Sequence, residues 1–185
     1  MARVSYIDTA QATGDAHAVL SQMQERGQEI INLHRVIAHS PSLLRNFFRL
    51  GNSLLVYGML PPVLRELTIM RVAQLTGADY EWAHHVPIAK QAGVSDVQIE
   101  RLREWQKADV FNARERAVLA FVDAITATRD VPDDVFEAAF AQLNENEVVE
   151  LTIVCGYWGM AAAMLNTLRL DVEPPFQQYL PSRSE

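Results

Sequence analysis

The chain has 185 residues, 49% of them hydrophobic, which is enough apolar material for one well-packed domain. A net charge of −7 and a pI of about 5.2 argue against nucleic acid or an anionic membrane as a partner, since both reward a basic surface. The single cysteine, Cys155, excludes an intramolecular disulfide framework and points to a reducing compartment.

The N-terminus, Met1 to Tyr6, has no apolar signal-peptide core, and no uncharged apolar run is read as reaching the roughly 20 residues of a membrane span. A cytoplasmic protein is expected. The periodicity reads as helix throughout, with no alternating strand pattern and no Asn-Gly or Asp-Gly hairpin signal. A first helix is expected over 15–26, after Gly14-Asp15, and a second from Glu29 to Ala38. Ser40-Pro41 opens a third, which carries Leu43, Leu44, Phe47, Phe48 and Leu50 and ends before Gly58. Pro61-Pro62 starts a fourth, stopped by Gly77. Asp79 is the expected N-cap of a fifth, stopped by Gly93. Ser95-Asp96-Val97-Gln98 is a capping-box pattern. Asn112 caps a helix through Thr128, Pro132-Asp133-Asp134 opens a short one, and Asn144 to Glu147 cap a last long helix to Leu170. An irregular tail is expected over 171–185, and nothing splits the chain 1–185 into two domains.

Glu66-Leu67-Thr68-Ile69 recurs as Glu150-Leu151-Thr152-Ile153, each at the start of a long apolar helix. The echo suggests an internal pseudo-duplication of helical units. Only the first copy is followed by an inward polar pair. Glu81 and His85 stand four apart and share one helix face with Ile88, Ala89 and Ala92, the side read as buried, while Lys90 lies opposite. Glu66 falls within an apolar arc of Val63, Ile69, Met70 and Ala73. An imidazole oriented by one carboxylate, with a second beside it, is a working acid/base set. Helix-dipole reasoning favours an ionised Glu81 in a first helical turn. Tyr80, Trp82 and His84 are read as the mouth of a pocket. The same pair could instead be a satisfied structural network, and Glu66, Glu81 and His85 could supply two carboxylates and an imidazole to a metal ion. Cys155 reads as a buried structural thiol. Small residues at Thr152, Gly156, Gly159, Ala162 and Ala163 suggest a close helix contact, of the kind found between subunits.

Glu66, the run Tyr80-Glu81-Trp82-Ala83-His84-His85, then Ala89 and Ala92-Gly93-Val94-Ser95, resemble the carboxymuconolactone decarboxylase family of the alkylhydroperoxidase D-like superfamily, over residues of about 40 to 170. The resemblance implies an all-α helical bundle and a homo-oligomer, a dimer, trimer or hexamer. The superfamily's redox branch works through a glutamate, a Cys-x-x-Cys pair and a histidine. Glu66 and His85 match the glutamate and histidine, but Ala78 and Glu81 occupy the two cysteine positions. Without a thiolate there is no peroxide nucleophile and no disulfide to cycle.

What remains resembles the non-redox branch, which decarboxylates a carboxylated muconolactone in aromatic-acid catabolism without metal or organic cofactor. The expected function is a cofactor-independent acid/base lyase acting on a small organic, cyclic acid or lactone. His85, Glu66 and Glu81 are the expected catalytic residues, and Tyr80, Trp82 and His84 the expected substrate contacts. No metal or cofactor, nucleic acid or membrane is expected. The rival readings are a thiol peroxidase using Cys155 and a non-catalytic helical binding protein.

Overall fold

A computed structural model describes residues 1–181. Nine helices, α1 (Gly14–Glu25), α2 (Asn32–Ile37), α3 (Pro41–Asn52), α4 (Pro62–Thr76), α5 (Asp79–Ala92), α6 (Asp96–Arg101), α7 (Ala113–Thr128), α8 (Asp133–Phe140) and α9 (Glu145–Leu168), follow one another with no strand among the described residues. The expectation of an all-α fold holds. Proline at the first position of α3 and α4 starts those helices, where a missing N–H costs nothing. Capping boxes start three others: Ser95 with Gln98, Asn112 with Glu115, and Asn144 with Glu147. Gly77 (φ 63°) and Gly93 (φ 104°) end α4 and α5 in the left-handed region. At each the next N–H reaches back five residues, Ala78 to Ala73 and Val94 to Ala89.

Four boundaries differ from the expectations. The second helix begins at Asn32, not Glu29, because Ile31 is extended and its N–H is taken by His34 Nδ1 at 3.0 Å. Ala78, not Asp79, occupies the cap position of α5, since the turn at Gly77 already fixes Ala78 and leaves Asp79 helical. The last helix ends at Leu168, with Arg169 in the left-handed region. Part of the tail is ordered: Pro174–Tyr179 forms a 3-10 segment. Residues 182–185 of the expected tail lie outside the described residues.

α4 is the hub and packs against α5, α7 and α9. Leu67, Ile69, Met70 and Val72 of α4 are all fully buried. One core joins α4, α7 and α9 through Val118, Phe121, Leu151 and Val154. A second joins α4 and α5 to the segment after α6 through Val86, Leu102 and Trp105. Asp123 on α7 ties these parts together. It accepts from Arg71 Nε at 2.6 Å, Arg71 Nη2 at 3.0 Å and Trp105 Nε1 at 3.0 Å.

α9 is long and apolar enough, by length and composition, to cross a bilayer, contrary to the reading that no run qualified. Here it is a core helix, half buried against α4, α5, α7 and α8. Its expected small-residue face is divided: Gly159 and Ala162 are buried, whereas Gly156 and Ala163 are exposed. The outward stripe is Val149, Ile153, Gly156, Met160 and Ala163. The two echoed segments also differ. Each threonine bonds the carbonyl four residues back, but Glu150 receives the Leu60 N–H at 2.6 Å, and α9 continues unbroken where α4 stops at Gly77.

Candidate active site

The turn at Gly77 sets α4 and α5 side by side, and that brings Glu66 and His85 together. Glu66 is completely buried. Its Oε2 lies 2.8 Å from His85 Nδ1, and its Oε1 accepts from Arg65 Nε at 3.1 Å. On the far side of the ring, Trp158 Nε1 of α9 lies 3.0 Å from His85 Nε2. An indole nitrogen only donates. Nε2 must therefore accept, the imidazole carries its proton on Nδ1, and that proton points at Glu66. The row Glu66–His85–Trp158 fixes the tautomer of a neutral imidazole.

Glu81, one turn before His85, is treated quite differently. The residue is 3% exposed, and neither of its buried carboxyl oxygens has a hydrogen-bond partner. Burial alone pushes its pKa well above the usual carboxylate range. Its place in the first turn of α5 favours an ionised group by only about 0.3–1 kcal/mol. Desolvating an unpaired carboxylate costs several kcal/mol, so the neutral acid is favoured. The expectation of an anionic Glu81 is corrected on that ground.

Glu81 and His85 line one cavity of about 190 Å³. Its walls are Phe47, Phe48 and Leu55 from the α3 region, Ile88 from α5, and Tyr157 and Trp158 from α9. Ile88, expected to be buried, is 37% exposed at the rim. A π-helical segment, Ser53–Tyr57, continues α3 and supplies Leu55. Tyr157 donates its hydroxyl to the Phe47 carbonyl at 3.0 Å. That hydroxyl lies 2.6 Å from where a Cβ on Gly51 would sit, so this wall requires glycine. Glu66 stands behind His85 and does not line the cavity. Arg71 is committed to Asp123, Arg65 to Glu66, and Arg45 is exposed; none of them lines the cavity.

Tyr80 and His84 also border this cavity, stacked at 4.4 Å between centroids. Their polar atoms are taken by a residue the sequence reading does not single out. Glu173, from the tail, accepts from Tyr80 Oη at 2.8 Å and from the Asn32 N–H at 2.6 Å, and it pairs with His84 Nε2 at 2.8 Å. Burial raises the Glu173 carboxyl, but these donors outweigh it and hold the group below its ordinary value. Phe176 stacks on the other face of His84 at 3.9 Å. Trp82 is not part of this constellation. It lines a separate, open groove of about 760 Å³ with Val86, Lys90 and Tyr179.

Cys155 is buried, and burial pushes its thiol up to about 12, far from the thiolate a peroxidase needs. Among the described residues, no group of three His, Cys, Asp or Glu side chains is arranged to hold a metal ion.

Residues 41–124 match the sequence model of the Carboxymuconolactone decarboxylase family. An uncharacterized Bacillus subtilis (strain 168) protein, YdfG, is 27% identical over 92 residues, covering 49% of this chain and 63% of that protein. An uncharacterized Escherichia coli (strain K12) protein, YnjA, is 26% identical over 116 residues, covering 62% of this chain and 63% of that one. The chain thus spans less than two thirds of the length of either relative. Among solved structures, an Agrobacterium tumefaciens protein of unknown function, related by its description to the antioxidant defence protein AhpD, aligns with a TM-score of 0.69 at 25% identity, over 75% of this chain and 95% of that one. An uncharacterized peroxidase-related protein from Ralstonia eutropha JMP134, described as an alkylhydroperoxidase AhpD core, aligns with a TM-score of 0.79 at 21% identity, over 95% and 94% of the two chains. The debrominase Bmp8, in complex with 2,3,4-tribromopyrrole, aligns with a TM-score of 0.80 at 18% identity, over 97% of each chain. The last two similarities establish a shared fold.

Proposed function

We propose, from the premise that this chain belongs to the carboxymuconolactone decarboxylase family, that it is an acid/base enzyme acting on a small organic molecule, by decarboxylation or a related proton transfer. The observation that carries this reading is the Glu81 carboxyl, buried and without a partner, on a residue that lines a cavity together with His85. A partnerless buried acid is costly to a fold, and a bound substrate would supply the missing partner. Glu81 acts as the general acid, donating its proton to the substrate oxygen or carbon on which negative charge develops. His85 is the base. When its Nε2 exchanges Trp158 for the substrate, it takes a proton there, and Glu66 stabilises the imidazolium through Nδ1–H.

The thiol-peroxidase alternative has no support from Cys155, whose burial suppresses the thiolate. A homo-oligomer is part of the proposal. Val149, Ile153, Gly156, Met160 and Ala163 alternate at spacings of four and three along α9, the pattern of a helix seam, and Val149, Ile153 and Met160 are 58%, 42% and 52% exposed.

The test is deuterium exchange from solvent into the α-carbons of a panel of cyclic ketones and lactones. The expected result is exchange above the protein-free rate that falls by about 10²–10⁴-fold in Glu81→Gln and in His85→Ala. Exchange that both variants retain, or none on any compound, would contradict the proposal.

A further inference from the structure

The cavity beside Glu81 restricts what can enter it. Its volume of about 190 Å³ slightly exceeds the engineered cavity of about 150 Å³ that binds benzene, so it holds one ring with one or two small substituents. No lysine or arginine lines it. A ligand carboxylate would meet Glu81 with no cation to balance it, at the cost of burying an unpaired charge. The other polar atoms on the walls are largely committed: Tyr157 Oη to Phe47, Trp158 Nε1 to His85, and Tyr80 Oη to Glu173.

Both Glu81 oxygens are buried and lack a hydrogen-bond partner. In the neutral acid one oxygen donates a proton and the other accepts. The complement of that pair is a carbonyl next to an N–H or O–H on one ring edge. Resting on the reading of Glu81 as an acid, we infer that the cavity binds an uncharged single-ring molecule with an adjacent acceptor and donor, such as a lactam or the enol of a cyclic 1,2-diketone. Glu81 holds that edge by two hydrogen bonds while the aromatic walls cover the ring faces. A proton passed from the Glu81 hydroxyl to the carbonyl oxygen is balanced by one returned to its second oxygen from the ligand N–H or O–H. That exchange is a tautomerisation and leaves Glu81 an acid. It narrows the chemistry to proton transfer without loss of carbon dioxide.

The probes are δ-valerolactam, which has acceptor and donor, δ-valerolactone, which has the acceptor alone, and cyclohexanecarboxylate, an anion of similar size. Their binding at pH 7 is measured by ligand-observed NMR titration on the full chain, for wild type, Glu81→Gln and Glu81→Leu. The lactam should bind at least about fivefold more tightly than the lactone, the worth of one net hydrogen bond, and the anion more weakly than either. Glu81→Gln keeps a donor and an acceptor and should keep lactam binding. Glu81→Leu, an apolar replacement, should weaken it at least about tenfold. Equal or tighter binding of the anion, lactam binding unchanged in Glu81→Leu, or no binding of any probe would overturn the ligand class. Lactam binding retained in Glu81→Gln together with undiminished deuterium exchange would instead overturn the acid role and leave the ligand class standing.

Discussion

Trp158 donates to His85 Nε2 at 3.0 Å, and this one contact decides where the imidazole proton sits. The indole cannot accept, so the proton lies on Nδ1, against Glu66. A histidine with both nitrogens engaged does not present a free base to the cavity. The partnerless group there is Glu81, and the chemical initiative passes to it.

Nitrogen-15 NMR reads this arrangement directly. His85 should show a protonated Nδ1 and an unprotonated, hydrogen-bonded Nε2. In Trp158→Phe the Nε2 resonance should move and become sensitive to compounds placed in the cavity. A proton found on Nε2 in the wild type would refute the assignment.

Glu66→Gln should destabilise the fold by about 3–5 kcal/mol, the cost of stranding a buried charged partner, because Arg65 and His85 both direct N–H groups at that carboxylate. Urea unfolding measures it. An unchanged midpoint would mean that the pair is not held as described.

The raised pKa of Glu81 makes stability depend on pH in a defined sense. Below the unfolded carboxyl value of about 4.3, both states hold the proton. Above it the unfolded chain releases the proton and the native chain keeps it, so this group lowers stability by up to ~1.4 kcal/mol per pH unit until the native value is reached. The advantage of Glu81→Gln over wild type should therefore grow between pH 5 and 8, as measured by denaturant midpoints across that range. A difference independent of pH would contradict it.

Gly51→Ala places a methyl group 2.6 Å from the Tyr157 hydroxyl. The ring is held by its bond to the Phe47 carbonyl, so relief must come by breaking that bond or moving the wall. A loss of about 1–3 kcal/mol is expected, read from thermal unfolding, along with weaker ligand binding in the cavity. Tyr157→Phe should remove most of the clash when combined with Gly51→Ala. If the double variant is no more stable than Gly51→Ala, the stated cause is wrong.

The readable parts of this molecule are those whose physics is local. The Ser95–Gln98, Asn112–Glu115 and Asn144–Glu147 caps are short motifs, and each appears where its sequence indicates. The Glu66–His85 pair follows from two helix faces joined by a tight turn at Gly77. The roles of Trp158 and Glu173 are not legible, because they arrive from 73 and 89 residues beyond their histidine partners and no periodicity encodes such a meeting. Closeness in sequence groups Trp82 with Tyr80 and His84. Positions two apart on a helix point to nearly opposite flanks, and Trp82 accordingly faces another groove. The ionisation of Glu81 is misread from the sequence because helix position is visible there, whereas the absence of a nearby donor is not.

The central claim is that Glu81, a residue lining the cavity, is a neutral acid. The most direct measurement is the infrared difference spectrum between wild type and Glu81→Gln at neutral pH. The account predicts a protonated-carboxyl C=O band in the wild type that the variant lacks, and which shifts when a lactam binds. A difference spectrum containing only carboxylate bands would show Glu81 to be ionised and would contradict the account.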